Sequence, residues 1–138
     1  VDHSTMLRNN LRSLGIEWFL KHPLGGIGIA NPHILAKQYY TFDAYLHDNF
    51  AELLCGGGII GFCLYYSMYL YLFSQLWKFR KADPQRVAFF TIWLGMMLAM
   101  DYGMVSYYSK SDSFYLMIHF LNVFQLKEKA MLKEVDKQ

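Results

Sequence analysis

The chain has 138 residues, of which 54% are hydrophobic and 18% aromatic, and it carries a net charge of +2. The length suits one domain, and an apolar content this high points toward lipid rather than water. So small a charge, with no basic residues interleaved among aromatics along a stripe, excludes nucleic acid as a partner.

Mean hydropathy is only +0.13, because a polar first third and a charged tail dilute long apolar runs between them. The chain starts at Val1 and shows neither the charged nor the apolar region of a signal peptide, so it is expected to be the C-terminal part of a longer polytopic membrane protein. The expected fold class is all-α: an extracytoplasmic loop with an amphipathic helix over 1–52, then about three transmembrane helices.

Ser4 or Thr5 can cap a first helix, whose apolar positions Leu7, Leu11, Leu14 and Trp18 recur at spacings of four, three and four. Pro23 and the glycines of PLGGIGIAN end it and begin an irregular stretch. A loop follows that carries Tyr39, Tyr40, Phe42 and Tyr45. From Leu53 to Trp77 no side chain is charged, and a helix of that length reaches about 37 Å, enough to cross about 30 Å of hydrocarbon with some tilt. Lys78, Arg80, Lys81 and Asp83-Pro84 mark a short loop over 78–86. A second span is expected over 87–105, an outward loop over 106–113, a shorter third span over 114–126 and a tail over 127–138. Basic residues are dense in the 78–86 loop and in the tail, at Lys127, Lys129, Lys133 and Lys137, so both are expected inside, with 1–52 and 106–113 outside and an odd number of spans, three, between the first segment and the tail.

Cys55 and Cys63 stand eight apart on one helix, about 12 Å along its axis, and cannot pair within it. The five histidines are scattered without metal-ligand spacing, and no metal or cofactor is expected.

The segment YLHDNFAELLCGGGIIGFCLYY carries the most chemistry. Asn49 and Glu52, three apart before an apolar helix, suit an N-cap and its reciprocal partner. His47 then sits at the outer membrane boundary, either as a general base for an alcohol or as an interfacial histidine that only hydrogen-bonds its loop. Gly56, Gly57, Gly58 and Gly61 weaken a helix in water, and the Gly57-xxx-Gly61 spacing suits close approach of another helix. Gly25, Gly26 and Gly28 lack the strand and the Gly-Lys-Ser/Thr of a nucleotide loop. Arg8 and Arg12 share one helix face and suit either a pyrophosphate or lipid headgroups, and Lys21 and His22 are candidates to extend that patch. Asp101 is either a carboxylate inside the second span that needs a partner or cavity, or the point where that helix surfaces. His119, within the third run, suits an interhelical donor.

Arg8, then KHPLGGIGIAN, then LHDNFAELLCGGGIIGF entering a membrane helix together resemble the O-antigen ligase and polymerase superfamily of bacterial membrane glycosyltransferases. Its members show an arginine, an hPlxGxGxxN stretch and an HNxxLexxxexGxxG stretch in that order. The likeness covers roughly residues 8–70. The chain has His47-Asp48-Asn49 where many members place His and Asn side by side, and alignment through Glu52 and Gly58 sets His47 at the family's histidine.

The resemblance implies a metal-independent inverting transferase. It would move saccharide from a polyprenyl-diphosphate-linked glycan donor onto an acceptor sugar hydroxyl, at the outer face of the bacterial cytoplasmic membrane, in synthesis of O-antigen, capsule or exopolysaccharide. His47 would be the catalytic base, Arg8 and then Arg12 would contact the diphosphate, and Asn49 and Asp101 would help bind substrate. The lipid bilayer would border the prenyl tail, and Tyr39, Tyr40 and Tyr45 would stack on sugars or anchor at the interface. Two alternatives stay open: a ligase that attaches finished glycan to lipid or protein, and a non-catalytic transport or assembly subunit.

Overall fold

In a computed structural model, which describes residues 3–40 and 44–135, the chain is all helical: α1 (His3–Lys21), α2 (Pro32–Tyr40), α3 (Asn49–Lys78), α4 (Pro84–Met100) and α5 (Lys110–Val135). There is no strand among the described residues, and Phe42 and Lys137 lie outside them. The chain divides into two compact units, Val1–Tyr66 with Met100–Tyr108 and Ser67–Ala99 with Ser109–Gln138.

The core of the first unit is built on the α1 stripe. Leu11 and Leu14 are buried with Leu35 and Ala36 of α2, Leu46, and Ala51 and Cys55 of α3, while Leu7 and Trp18 pack against the cluster. Ser4 and Thr5 lie inside α1 and do not cap it. The expected loop around Tyr39 and Tyr40 is instead a helix, because Pro32 stands at a first helical position, where its missing N–H is no loss. Asn31 precedes it and its carbonyl accepts the Leu35 N–H at 3.0 Å. At 9 residues, α2 is too short to announce itself by periodicity.

The PLGGIGIAN stretch closes on α3 in a way that explains both sets of glycines. Gly58, at φ 61° and ψ −165°, interrupts the helix. In an unbroken helix the Ile59 and Ile60 N–H groups would donate to Cys55 and Gly56. Here they donate to the carbonyls of Pro23 (2.9 Å) and Leu24 (3.3 Å), while the freed carbonyls of Cys55 and Gly56 accept from Ile27 (2.9 Å) and Gly28 (2.8 Å). The loop is thus spliced into the helical ladder. A Cβ on Gly26 would lie 2.5 Å from the α3 backbone, and one on Gly58 would lie 2.3 Å from the Leu24 carbonyl. Gly26 and Gly58 thus admit a loop, while Gly57 and Gly61, where close approach of another helix is expected, face open space among the described residues.

In the second unit, Leu72, Leu76, Val87, Leu94, Met97, Leu116, Val123 and Leu126 are buried. His119 is fully buried: Nδ1 lies 2.8 Å from the Tyr115 carbonyl and Nε2 3.3 Å from the Phe90 carbonyl on α4, the interhelical role expected of it. Arg86 donates to Asn122 and Gln125. Lys129 donates to Asp83 at 2.8 Å and Lys133 to the Ala82 carbonyl at 2.9 Å, tying the end of α5 to the turn between α3 and α4.

Helix lengths depart from the expected spans. Among the described residues, only α3 is long and apolar enough to cross a membrane. At 17 residues α4 spans about 25 Å, because it stops at Met100 instead of running to 105. The connection between α4 and α5 lies at residues 101–109 instead of 106–113, since α4 ends early and Ser109 accepts the Asp112 N–H on its hydroxyl at 3.3 Å at the start of α5. At its other end α5 runs past 126 to Val135, because Lys, Glu, Ala, Met and Leu are good helix formers in water.

Gly58→Ala and Gly26→Ala force a Cβ onto backbone at a positive φ, so each should lower stability by about 3 kcal/mol or more, whereas Gly57→Ala should be neutral or stabilising by up to about 1 kcal/mol. Thermal unfolding of the purified variants in detergent measures the contrast.

Candidate active site

His47 occupies the short connection between α2 and α3, and Leu46, Asp48 and Asn49 on either side of it are tied down. Leu46, fully buried, donates its N–H to Glu52 Oε2 at 2.7 Å and fits its side chain against α1 where Gly15 leaves room. Asp48 is the N-cap of α3: its Oδ1 accepts the N–H groups of Phe50 (2.9 Å) and Ala51 (3.1 Å). The cap therefore sits one residue before the expected Asn49, and Glu52 reaches back to Leu46 and not to the cap residue. Asp48 Oδ2 also lies 2.6 Å from Arg12 Nε.

Asn49 is fully buried and holds the far side. Its Oδ1 accepts the Ser106 N–H (2.9 Å) and the Tyr107 N–H (3.1 Å), its Nδ2 donates to the Tyr66 hydroxyl (3.0 Å) and Asp101 Oδ2 (3.3 Å), and its own N–H donates to the Asp101 carbonyl (2.8 Å). Asp101, 1% exposed, accepts in addition from the Tyr66 hydroxyl at 2.9 Å and from the Ser106 hydroxyl. Asn49 and Asp101 thus meet each other, enclosed, and join the start of α3 to the segment just beyond α4. Asp101 follows the last residue of α4 and is buried there among the partners that an enclosed carboxylate needs.

Between these anchors His47 adopts φ 57°, in the left-handed region. Histidine visits that region more often than most side chains but still at a cost of about 1–2 kcal/mol, so the neighbours, not the residue's own preference, hold it there. The ring is half-buried and lies 4.2 Å, centroid to centroid, from Tyr45. Burial first, and the nearby Arg8 charge second, hold its pKa below the ordinary imidazole value, so the neutral, proton-accepting form dominates at neutral pH.

The two arginines differ. Arg12 has its guanidinium over the Tyr102 ring at 4.3 Å, donates to the Tyr102 hydroxyl and carbonyl at 3.1 Å each, and flanks Asp48. Arg8 is exposed beside His47, and no hydrogen bond or ion pair among the described residues occupies it. Lys21 and His22 do not extend this patch: Lys21 is thirteen residues from Arg8, about 20 Å along α1, and its ammonium donates to Glu17 at 2.7 Å. Tyr39 and Tyr40 belong to the end of α2, while Tyr45 stands with His47.

Asp48, Tyr66, Tyr102 and Ser106 were not picked out from the sequence. Asp directly before an apolar helix is a good cap signal and could have identified Asp48. Nothing local marks the other three, which matter only because the segment after α4 folds onto Asn49.

Comparison of the chain with protein-family models, with curated proteins and with solved structures found no match.

Asn49→Ala and Asp101→Ala each leave buried partners unsatisfied and should cost about 2–3 kcal/mol, with the double variant falling short of the sum by about 1–3 kcal/mol. His47→Gly releases the left-handed strain and should keep or raise stability by up to about 1 kcal/mol. Denaturant titrations of the four proteins measure both effects.

Proposed function

We propose that this chain is part of a membrane glycosyltransferase of the O-antigen polymerase and ligase kind, which moves saccharide from polyprenyl diphosphate onto an acceptor hydroxyl outside the bacterial cytoplasmic membrane. The observation that carries the reading is the pairing of a rigidly held, neutral His47 with an unengaged Arg8 on an exposed face. The two stretches behind the family likeness, PLGGIG and CGGGII, are also hydrogen-bonded to each other through four backbone bonds. Their co-occurrence in one chain thereby acquires a physical reason.

In this chemistry His47 takes the proton of the acceptor hydroxyl as its oxygen bonds to the anomeric carbon. The bond from that carbon to the diphosphate breaks, with its electron pair leaving on the diphosphate. Arg8 stabilises the charge that grows there, and its forked donors match phosphate oxygens. Arg12, with its fork engaged by Tyr102 and Asp48, is a positioning residue for the cap. Asn49 and Asp101 act the same way, holding the backbone on either side of His47 instead of touching substrate.

The membrane setting extends to α4 and α5 on this reading. The exposed faces of both are apolar: Phe89, Ile92, Met96 and Met100 on α4, and Phe114, Met117, Leu121 and Phe124 on α5. Continuous apolar faces of this kind suit lipid. The contacts of Lys129 and Lys133 with Asp83 and Ala82 bring the two basic segments to one end of the second unit, in keeping with three spans and both segments inside.

Transfer should be lost, by at least about 10²-fold, in His47→Ala protein of normal membrane abundance, and reduced in Arg8→Lys, where charge stays but the fork goes. Undiminished polymer from His47→Ala cells would overturn the assignment. Single repeat units accumulating in its place indicate a polymerase, and long lipid-linked polymer a ligase.

The pH profile tests the same pair. A base active when neutral gives a rate that is flat near neutrality and falls about tenfold per pH unit on the acid side. Arg8→Gln removes a charge that disfavours the imidazolium, so the His47 pKa rises and the acid limb should move to higher pH, whatever the height of the plateau. An unmoved limb in a steady-state pH series would separate Arg8 from the base.

A further inference from the structure

The first unit contains a cavity of about 350 Å³ lined by Ala30, His33, Ala44, Tyr45, Glu52 and Tyr108. The transfer chemistry described above uses none of these groups directly. Most of the lining is apolar, yet its floor holds a carboxylate. Glu52 is 2% exposed and one of its oxygens accepts the Leu46 N–H, while the other has no hydrogen-bond partner among the described residues. That second oxygen is open to the cavity, where an incoming O–H or N–H can donate to it.

The lining selects among ligands. A prenyl chain would leave Glu52 unsatisfied, and the volume, at the small end of the roughly 300–1,000 Å³ typical of ligand sites, is too small for a long one. A phosphate would be repelled by the carboxylate. A neutral ring with apolar faces and hydroxyls at its edge satisfies every wall: its C–H faces lie on tyrosine rings and its hydroxyls donate to Glu52. Tyr45 and Tyr108 are 42% and 56% exposed, so both rings present free faces to such a guest. Tyr45 also stands 4.2 Å from the His47 ring, so a ring seated here lies within one aromatic side chain of the base.

We propose that this cavity is a saccharide subsite that holds a pyranose ring of the acceptor glycan, with Tyr45 and Tyr108 against its faces and Glu52 and His33 taking its hydroxyls. That the bound sugar is the acceptor rests on the transferase reading; that the cavity takes a sugar does not. Seating the acceptor through this ring directs an adjoining hydroxyl around Tyr45 toward His47, and binding distant from the reacting bond then contributes to orientation.

The test uses the full-length protein in lipid nanodiscs. Saturation-transfer NMR is recorded with glucose, galactose and N-acetylglucosamine, each alone, and acceptor kinetics are measured in parallel. Tyr108→Ala removes an exposed ring and leaves the core intact, and Glu52→Gln keeps an acceptor for the Leu46 N–H, so both should fold. The expected result is saturation of ring protons of at least one sugar in the parent protein, lost in Tyr108→Ala and retained in Tyr108→Phe. Acceptor KM should rise about tenfold in Tyr108→Ala and Glu52→Gln, with kcat within about twofold. Unchanged acceptor KM in both variants, or sugar signals indifferent to them, overturns the subsite while leaving the transferase reading in place. Tyr108-dependent sugar signals from a parent protein that transfers nothing would overturn the transferase reading and keep the cavity as a sugar site.

Discussion

Opening an α-helix in its middle frees backbone groups that must find other partners, and in α3 they find them in one place. The interruption at Gly58 gives up two helical hydrogen bonds, and the segment from Pro23 to Gly28 supplies four in return. Each such bond contributes only about 1 kcal/mol net, but leaving the groups unpaired in an apolar setting costs several kcal/mol. The break and the loop therefore require each other. That mutual requirement sets where α1 ends, where α2 begins and how both lie on the start of α3, and thereby the frame in which His47 is held.

Within that frame the residues flanking His47 are each held by a different element. Leu46 is held by Glu52 and the core against α1, Asp48 by the helix it caps and by Arg12, and Asn49 by the segment that follows α4. A strained φ can persist only when its surroundings over-determine it, and here three separate attachments do so. The histidine is placed by covalent continuity with its anchored neighbours and needs no strong bond of its own. This leaves its ring half-buried and available, with burial and Arg8 favouring the neutral form.

The polar knot of Asn49, Asp101, Tyr66 and Ser106 shows how hydroxyl and amide donors can enclose a carboxylate. Its oxygens are met by hydroxyl and amide donors, and breaking any one of them leaves the others exposed to the cost of an unsatisfied buried group. The same accounting distinguishes Glu52, where only one oxygen is met and the remainder faces a cavity. Two buried acids in one unit thus have different meanings, decided by how completely their lone pairs are used.

Periodicity and charge spacing were enough to fix the all-α class, the amphipathic stripe of α1, the apolar run of α3 and the interhelical place of His119, because each is encoded within one turn or one short window. The resemblance singled out His47 and Arg8. Local pattern misplaced the cap by one residue, since Asp48 and Asn49 are both good capping side chains and only the contacts with Ser106 and Tyr107 turn Asn49 inward. It missed α2, which is too short to show a period, and it gave no sign that Gly58 interrupts α3 to admit a loop. It also grouped Arg12 with Arg8 by their common face, whereas Tyr102, ninety residues away, engages one and leaves the other. Composition and spacing report what a segment can do by itself. Which buried polar group meets which partner depends on chain returning from far along the sequence, and only the tertiary structure decides that.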